Sequence, residues 1–157
     1  MNQDEIRIVT LPPMRVASVN GFGSGPEGIA FEKMTAWAHE HKLLGKPYRT
    51  FGFNNPDPTP GSPNYGYDVW ITVDESVQGD AVARILEFPG GLYALKRVEV
   101  KDPYADIPGA WQSLVHWMEG SKYRHGTHQW LEEHIGPLDS MGGQQPFTLA
   151  LHLPIRE

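Results

Sequence analysis

The second half of this sequence repeats the layout of the first half 80 residues later. An aromatic segment with helical spacing, Phe31–Ala38, lines up with Trp111–Met118. A strand-like segment, Tyr67–Val73, lines up with Phe147–Leu153 at the same offset. Because one offset relates both a helix pattern and a strand pattern, we infer an internal duplication. Two similar halves in so short a chain usually pack together, and we expect a ligand at the seam between them.

Each half is predicted to be a strand–helix–strand–strand unit. For the first half, periodicity and turn residues predict a strand at Arg7–Gly21 interrupted by Pro12–Pro13, a helix at Pro26–Leu44, and strands at Tyr48–Phe53 and Gly66–Val73. For the second half they predict a strand at Leu92–Val100, a helix at Ile107–Lys122, and strands at Gln129–Ile135 and Phe147–Ile155. A short strand or lead-in is expected at Ile85–Phe88.

The expected fold class is therefore α/β in the α+β arrangement. We expect one domain over residues 1–157, with half-repeats at about 7–75 and 85–157. In this interpretation the sheet is antiparallel and pseudo-twofold, both helices lie on one of its faces, and a cleft separates the halves.

Composition narrows the function classes. The 157 residues carry a net charge of −6 and no cluster of Lys or Arg, which argues against nucleic-acid binding. A polar N-terminus and the lack of any long apolar run predict neither a signal peptide nor a membrane span. With no cysteine, the sequence suits a reducing compartment, and we expect a cytoplasmic protein. Since the first strand begins near Arg7, we expect no helix-turn-helix domain.

The strand predicted at Gln129–Ile135 carries two adjacent carboxylates. Alternation places Trp130, Glu132 and His134 on one face, so Glu133 lies on the other. The plain interpretation is a solvated pair of edge-strand carboxylates. The functional interpretation is that one of them, by preference Glu132, is partly buried among aromatic rings. It would then act as a partner for a cation or as a general base.

Aromatic residues supply the candidate walls of such a site. Tyr67 and Trp70 lie on opposite faces of one predicted strand, and we favour Tyr67 for the cleft because its hydroxyl needs a polar partner. Trp111, near the start of the second helix, is equally compatible with a pocket and with core packing. Trp37 and Trp117 fit the helical stripes of a core.

The sequence predicts neither a metal site nor a cofactor. His39 and His41 are two residues apart and do not share a helix face. His125, His128 and Glu132 have no recognised ligand spacing, and no phosphate-binding loop or nucleophile elbow is present.

Three segments carry a resemblance to a known family: Tyr65–Val73, Trp111–Trp117 with Leu114 between them, and Leu131–His134. In this order and spacing they resemble the GyrI-like small-molecule-binding family, which supplies the effector-binding domain of many AraC-type and MerR-type transcription regulators. Leu131–His134 looks like the family's apolar-Glu-x-Tyr strand, with His134 in place of the tyrosine. The resemblance implies a cleft that takes cationic, lipophilic ligands and assigns its carboxylate to Glu132.

Three functions follow as hypotheses. The first is a stand-alone, multidrug-type binding protein that senses or sequesters an amphipathic, cationic ligand through Tyr67, Trp111, Trp130, Glu132 and His134. The second is a hydrolase of strained, cyclopropane-bearing electrophiles, in which Glu132 is the catalytic general base. The third is an inhibitor that binds a protein partner through its acidic surface. The small molecule is the preferred partner, with no direct contact to nucleic acid or membrane.

Overall fold

The computed structural model describes residues 5–138 and 146–157. In chain order the described elements are β1 (Ile6–Leu11), β2 (Met14–Gly23), α1 (Pro26–Glu40), β3 (Thr50–Asn54), β4 (Tyr65–Thr72), β5 (Arg84–Phe88), β6 (Gly91–Val100), α2 (Pro103–Glu119), β7 (Arg124–His125), β8 (Leu131–Ile135) and β9 (Phe147–Arg156). Neither described helix combines the length and apolar character needed to cross a membrane.

The described chain divides into two compact units. Unit 1 contains residues 5–13, 89–135 and 146–157, and unit 2 contains residues 14–88 and 136–138. Unit 1 is therefore assembled from separate stretches of sequence, and it takes its β1 strand from the N-terminal side of unit 2.

Unit 2 is an antiparallel sheet with one helix packed on it. Its strands lie in the order β3-β4-β2-β5. Residues of α1, β2 and β4 form a common core between the helix and the sheet, including Met34, Trp37, Val19 and Val69. The helix lies directly on β2 at Gly21, where an added Cβ would come within 2.6 Å of the Ala30 nitrogen. No larger residue leaves room for this approach.

Unit 1 has the same construction. Its strands lie in the order β1-β6-β9-β8, all antiparallel, and β7 makes a separate two-residue pairing with β9. Leu149, Leu151 and Leu153 of β9 pack with Leu114 and Met118 of α2. The alternate residues of β9 therefore point to the sheet face away from the helix.

The two units share one topology, which agrees with the duplication inferred from the sequence. In each unit the strand before the helix pairs with the last strand of the repeat, and that last strand pairs with the strand that follows the helix. Ile71 of β4 and Leu151 of β9, 80 residues apart, both lie in the core beneath their own helix. The predicted α+β class with antiparallel pairing is confirmed.

Helix α1 ends four residues earlier than the predicted Leu44. Lys42 adopts a left-handed conformation with φ of 58°. The N–H of Leu43 then donates to the carbonyl of Ala38 at 2.9 Å, and the N–H of Lys42 to that of His39 at 3.1 Å. This reversal satisfies carbonyls at the helix end and buries Leu43 against the core.

Helix α2 begins at Pro103, four residues before the predicted Ile107. Asp102 caps the helix by accepting a hydrogen bond from the Tyr104 N–H at 3.1 Å. Asp106, directly before the predicted start, reaches back and accepts hydrogen bonds from the N–H groups of Lys101 and Asp102. Two acidic residues thus share the N-terminus, where N–H groups lack helical partners.

The Pro12–Pro13 interruption is a boundary between two strands with different partners. β1 pairs with β6 in unit 1, whereas β2 pairs with β4 and β5 in unit 2. The segment Ile85–Phe88 lies within β5. The two-residue strand β7 has no counterpart in the sequence prediction.

Candidate ligand-binding site

Strand β8 presents one carboxylate to each face of the unit 1 sheet. Glu132 pairs with Leu151 and His134 with Leu149, and both leucines lie in the core beneath α2. Because directly paired residues point to the same face, Glu132 and His134 are on the helix-facing side. Glu133, one residue along, is on the opposite face.

Glu132 lies within a group of aromatic rings that we call the aromatic–carboxylate cluster, formed by Trp111, His125, Trp130 and Glu132. The indole N–H of Trp111 donates to Oε2 of Glu132 at 3.3 Å. The Trp111 and Trp130 rings are 5.2 Å apart at 50°, and His125 stacks on Trp130 at 5.7 Å and 23°. Trp130 remains 39% exposed, so solvent reaches the cluster.

The second polar side chain on this face of β8, His134, is uncharged at neutral pH. Burial penalises the protonated ring and lowers the pKa of His134 to about 3. The helix-facing side of β8 therefore combines a carboxylate with a neutral imidazole. It carries no positive charge from His134 that would repel a cation.

Glu133 belongs to a different polar group on the opposite face. It is 9% exposed, and its Oε1 lies 3.9 Å from Nε2 of the fully buried His152. The other nitrogen of His152 is 2.9 Å from the Ala150 carbonyl, and the Tyr93 ring lies 5.6 Å away, edge to face. Burial also raises the pKa of the Tyr93 hydroxyl.

The segment that leads into β8 is held from this opposite face. The Tyr93 hydroxyl donates to the carbonyl of Gln129 at 2.5 Å, and Nε2 of His128 lies 2.7 Å from the Leu92 carbonyl. Sequence reasoning did not single out Tyr93 or His152, since neither pattern nor motif marks a residue whose partner is distant in the chain. His125 was considered only as a metal ligand.

Tyr67 lies on the helix-facing side of the unit 2 sheet. It is 2% exposed and its ring lies 6.4 Å from that of Phe31 on α1. Its hydroxyl end covers Gly52, where a Cβ would collide with the tyrosine ring. Trp70 takes the opposite face, against Phe53 at 5.0 Å. The two residues lie on opposite faces, as alternation predicts, but Tyr67, which the sequence favoured for the cleft, is the one that packs beneath the helix. Its role as a ligand contact stays a prediction.

Across the described ranges, 5–138 and 146–157, no group of three or more His, Asp or Glu side chains is arranged to hold a metal ion. Trp37 is a core residue whose indole N–H donates to Asp80 at 2.9 Å. Trp117 packs in the unit 1 core and stacks on Tyr123.

Comparison with known proteins supports a family and a fold. The model of the GyrI-like small-molecule-binding domain matches residues 4–133. None of the curated proteins is a significant match in sequence. Among solved structures, the C-terminal domain of EcmrR is 14% identical, with 98% of each chain covered and a TM-score of 0.70.

Two further structures share the fold at low identity. A hydrolase from Listeria innocua is 12% identical, with 99% of this chain and 94% of that chain covered and a TM-score of 0.68. SAV2435 bound to tetraphenylphosphonium is 8% identical, with 97% and 94% covered and a TM-score of 0.52.

Proposed function

The chain belongs to the GyrI-like family of small-molecule-binding domains, and we propose that its ligand is an amphipathic organic cation held by the aromatic–carboxylate cluster. The observation that carries this proposal is the Trp111–Glu132 contact at 3.3 Å, beside the Trp111–Trp130 ring pair. Membership of this family implies that the protein binds a small molecule. The positive charge of that molecule and the position of its binding site are what we propose.

The chemistry of the cluster suits a lipophilic cation. The faces of the Trp111 and Trp130 rings attract a cation and bury apolar ligand surface. The Glu132 carboxylate supplies an opposite charge next to those rings, where the attraction is stronger than in open water. The neutral His134 adds no competing charge. A net charge of −6 further favours the approach of cations over anions.

Tyr67 is proposed as a ligand contact in unit 2. It lies on the helix-facing side of its sheet, as Glu132 and His134 do in theirs. Because its ring packs beside Phe31 and over Gly52, we propose the hydroxyl as the contacting group, which can accept or donate a hydrogen bond.

The first test measures two ligands of similar shape but different charge on Glu132→Gln. Methyltriphenylphosphonium is a cation, and triphenylphosphine oxide is its neutral counterpart. Because a charge-assisted contact contributes about 1.5–3 kcal/mol, the variant should bind the cation roughly 10- to 150-fold more weakly. Binding of the neutral compound should be nearly unchanged, while Trp111→Ala should weaken both. Isothermal titration calorimetry measures both affinities.

The matched control is Glu99→Gln, which makes the same change at an exposed position of β6 in the same unit. It should bind both compounds as the wild type does. Equal weakening of the two ligands in Glu132→Gln would contradict a charge partner. Loss of cation binding in Glu99→Gln would assign the effect to general surface charge.

Hydrolysis is the second candidate function, and it is favoured by the same hydrogen bond. The Trp111 N–H holds the orientation of a carboxylate that would take a proton from water while the water oxygen attacks an electrophilic carbon. The structure described as a hydrolase from Listeria innocua shares the fold. A strained ring is a suitable substrate class, because ring opening releases strain and the departing carbon recovers the proton.

The same variant distinguishes the two candidates. For a hydrolase, Glu132→Gln should lower turnover of a strained electrophile by roughly 100-fold or more and leave substrate affinity close to normal. For a binding protein, affinity for the cation falls and the wild type shows no turnover. Product formation followed by mass spectrometry, beside calorimetry on the same samples, gives both readouts.

A further inference from the structure

His125 supplies the imidazole of the aromatic–carboxylate cluster in unit 1. Its ring stacks on that of Trp130, with 5.7 Å between the ring centroids and 23° between the planes. On β7 it pairs with Ile155, which lies in the core beneath α2. The His125 side chain is therefore on the helix-facing side of the sheet, the side that carries Glu132. It is exposed, so protons and ligands reach it from solvent.

Both rings of this stack are carried by anchored stretches of backbone. The Nε of Arg156 on β9 donates to the carbonyl of His125 at 3.1 Å. On the other side of the stack, the Tyr93 hydroxyl donates to the carbonyl of Gln129, directly before Trp130. The contact between imidazole and indole thus belongs to the folded framework of unit 1.

A proton on this imidazole changes what the cluster attracts. A neutral imidazole is a flat ring that extends the aromatic wall made by Trp130. An imidazolium at 5.7 Å lies within the roughly 6 Å over which an indole face attracts a cation, so it takes the place of a cationic ligand. It also repels that ligand and offsets part of the Glu132 charge. A neutral ligand of the same shape meets no such repulsion.

Other charged groups surround β7 and must be compared with His125. Carboxyl and guanidinium groups ordinarily keep their charge between pH 7.5 and 5.5. Burial lowers the pKa of His134 to about 3, so its ring stays neutral there. His116 is on the exposed side of α2, the His128 ring is directed to the Leu92 carbonyl, and His152 is on the opposite face of the sheet. The titratable and charged groups on β7 and on the elements and segment packed against it are Arg124, Asp106, His116, Glu119, His128, Glu132, Glu133, His134, His152 and Arg156.

We propose that His125 is a specificity-determining residue of the cluster: with a neutral ring the site takes the lipophilic cation, and with a protonated ring it rejects cations and still takes neutral ligands of the same shape. The inference rests on the proposed function and deepens it by adding the regulation of the same site. Imidazole is the side chain that ordinarily gains its proton between pH 8 and 5. A cation bound near neutral pH is thus released when the surroundings become acidic.

The test compares methyltriphenylphosphonium with neutral triphenylphosphine oxide at pH 7.5 and at pH 5.5, by isothermal titration calorimetry. The ratio of the two affinities is the readout, because any loss of folded protein in acid cancels in it. In the wild type the ratio should move about 3- to 10-fold toward the neutral compound at pH 5.5. His125→Phe keeps a stacking ring that binds no proton, so its ratio should be the same at both pH values. His125→Arg carries a permanent charge and should disfavour the cation at both.

Two further measurements separate this role from a structural one. His116→Gln removes an exposed histidine of α2 in the same unit and should keep the wild-type pH response. By linkage, bound phosphonium should move the pH midpoint of the His125 ring resonances in NMR down by about 0.5–1 unit, whereas the phosphine oxide should leave it in place. A ring that only packs on Trp130 gives no such ligand-dependent difference.

A wild-type affinity ratio that is equal at the two pH values would overturn the inference. An equal change of the ratio in wild type and His125→Phe would also overturn it, because another group would then carry the pH response. Should His125→Phe not fold, His125→Gln makes the same comparison without the ring.

Failure of the proposed function gives a different result. In that case the wild type does not bind the phosphonium at pH 7.5, or Glu132→Gln binds it as the wild type does, and this inference fails as well. If the wild type binds the phosphonium and depends on Glu132, but its affinity ratio does not respond to pH, only the role of His125 is rejected.

Discussion

His134 gives the protein a characteristic response to acid. In the unfolded chain its pKa is near the ordinary 6.5, whereas in the folded protein burial lowers the pKa to about 3. Between these values the unfolded state binds a proton that the folded state does not, so stability falls as the pH falls below 6.5. Above pH 6.5 neither state holds the proton, and this contribution is constant.

The corresponding prediction concerns His134→Gln. Between pH 6.5 and 4.5, the wild type should lose up to about 1.4 kcal/mol of unfolding free energy per pH unit from this group. His134→Gln should lack that part of the slope. Hydrogen bonds lower the pKa of three carboxyl groups, those of Asp74, Asp80 and Asp106. These groups therefore do not contribute to the slope between pH 6.5 and 4.5.

Urea unfolding at several pH values measures these slopes. The matched control is His116→Gln, a histidine on the exposed side of α2. It should keep the wild-type slope. Identical slopes in wild type and His134→Gln would mean that His134 is protonated alike in the folded and unfolded states.

The sequence could distinguish the faces of Glu132 and Glu133 but not their surroundings. A period of two residues sufficed to place Glu132 with His134, as the register with β9 shows, and Trp130 meets the same cluster through its ring contact with Trp111. The pairing of Glu133 with His152 depends on a strand that is distant in the sequence, and no local pattern reports it. The site role of these residues therefore stays a prediction until binding is measured.

Among the individual elements, helix α1 ends next to a residue with a strained backbone conformation, and a single substitution should relieve that strain. Lys42 holds a φ of 58°, which strains any residue with a Cβ and suits glycine. Lys42→Gly should raise the free energy of unfolding by roughly 0.5–1 kcal/mol, because relief of strain exceeds the added flexibility of the unfolded chain. Differential scanning calorimetry measures the gain.

The control for this prediction is Lys46→Gly, which adds the same flexibility at a residue without a positive φ. It should not stabilise the protein. A Tm for Lys42→Gly at or below the wild-type value would show that the Lys42 side chain makes contacts whose loss outweighs the strain.

Helix termini were harder to predict than helices. The apolar stripe of α2 predicted the helix, but it placed the start at Ile107, four residues after the observed one. The observed start depends on two acidic side chains with different partners: Asp102 accepts from the N–H of Tyr104, and Asp106 reaches back to two N–H groups just before the helix. Pro108 lies in the early turns of α2, where its missing N–H disturbs few bonds. β7, with two residues, is too short for any periodicity.

Across the whole molecule, hydrogen exchange should follow strand position. Within the units, β6, β9, β2 and β4 each lie between two neighbouring strands, while β1 and β5 are at the ends of their orders. Amides of the four interior strands should exchange more slowly than those of β1 and β5. Peptide-resolved exchange read by mass spectrometry tests this. Equal protection of β1 and β6 would contradict the assigned strand order.

The overall fold could be predicted from the sequence because one offset of 80 residues relates both a helix and a strand of the first half to their counterparts in the second half. This repeat carried no information on which strands extend each sheet. β1 and β5 begin the two half-repeats but lie outside the two pairs of segments that were aligned, and their partners follow from the turns at Pro12–Pro13 and Gly90, not from periodicity. The seam between the halves as a ligand site remains a prediction.

The pairing of β1 with β6 has a consequence during synthesis on the ribosome. β1 is synthesised before its partner β6, which begins at Gly91, about 80 residues later. At roughly 5–20 residues per second, β1 waits on the order of 4–16 s before its partner exists. During that interval an apolar strand, with Arg7 as its one charged residue, is exposed beside a growing chain. We therefore expect the unpaired strand to be a contact site for chaperones on the nascent protein until β6 is made, even though the finished fold pairs it.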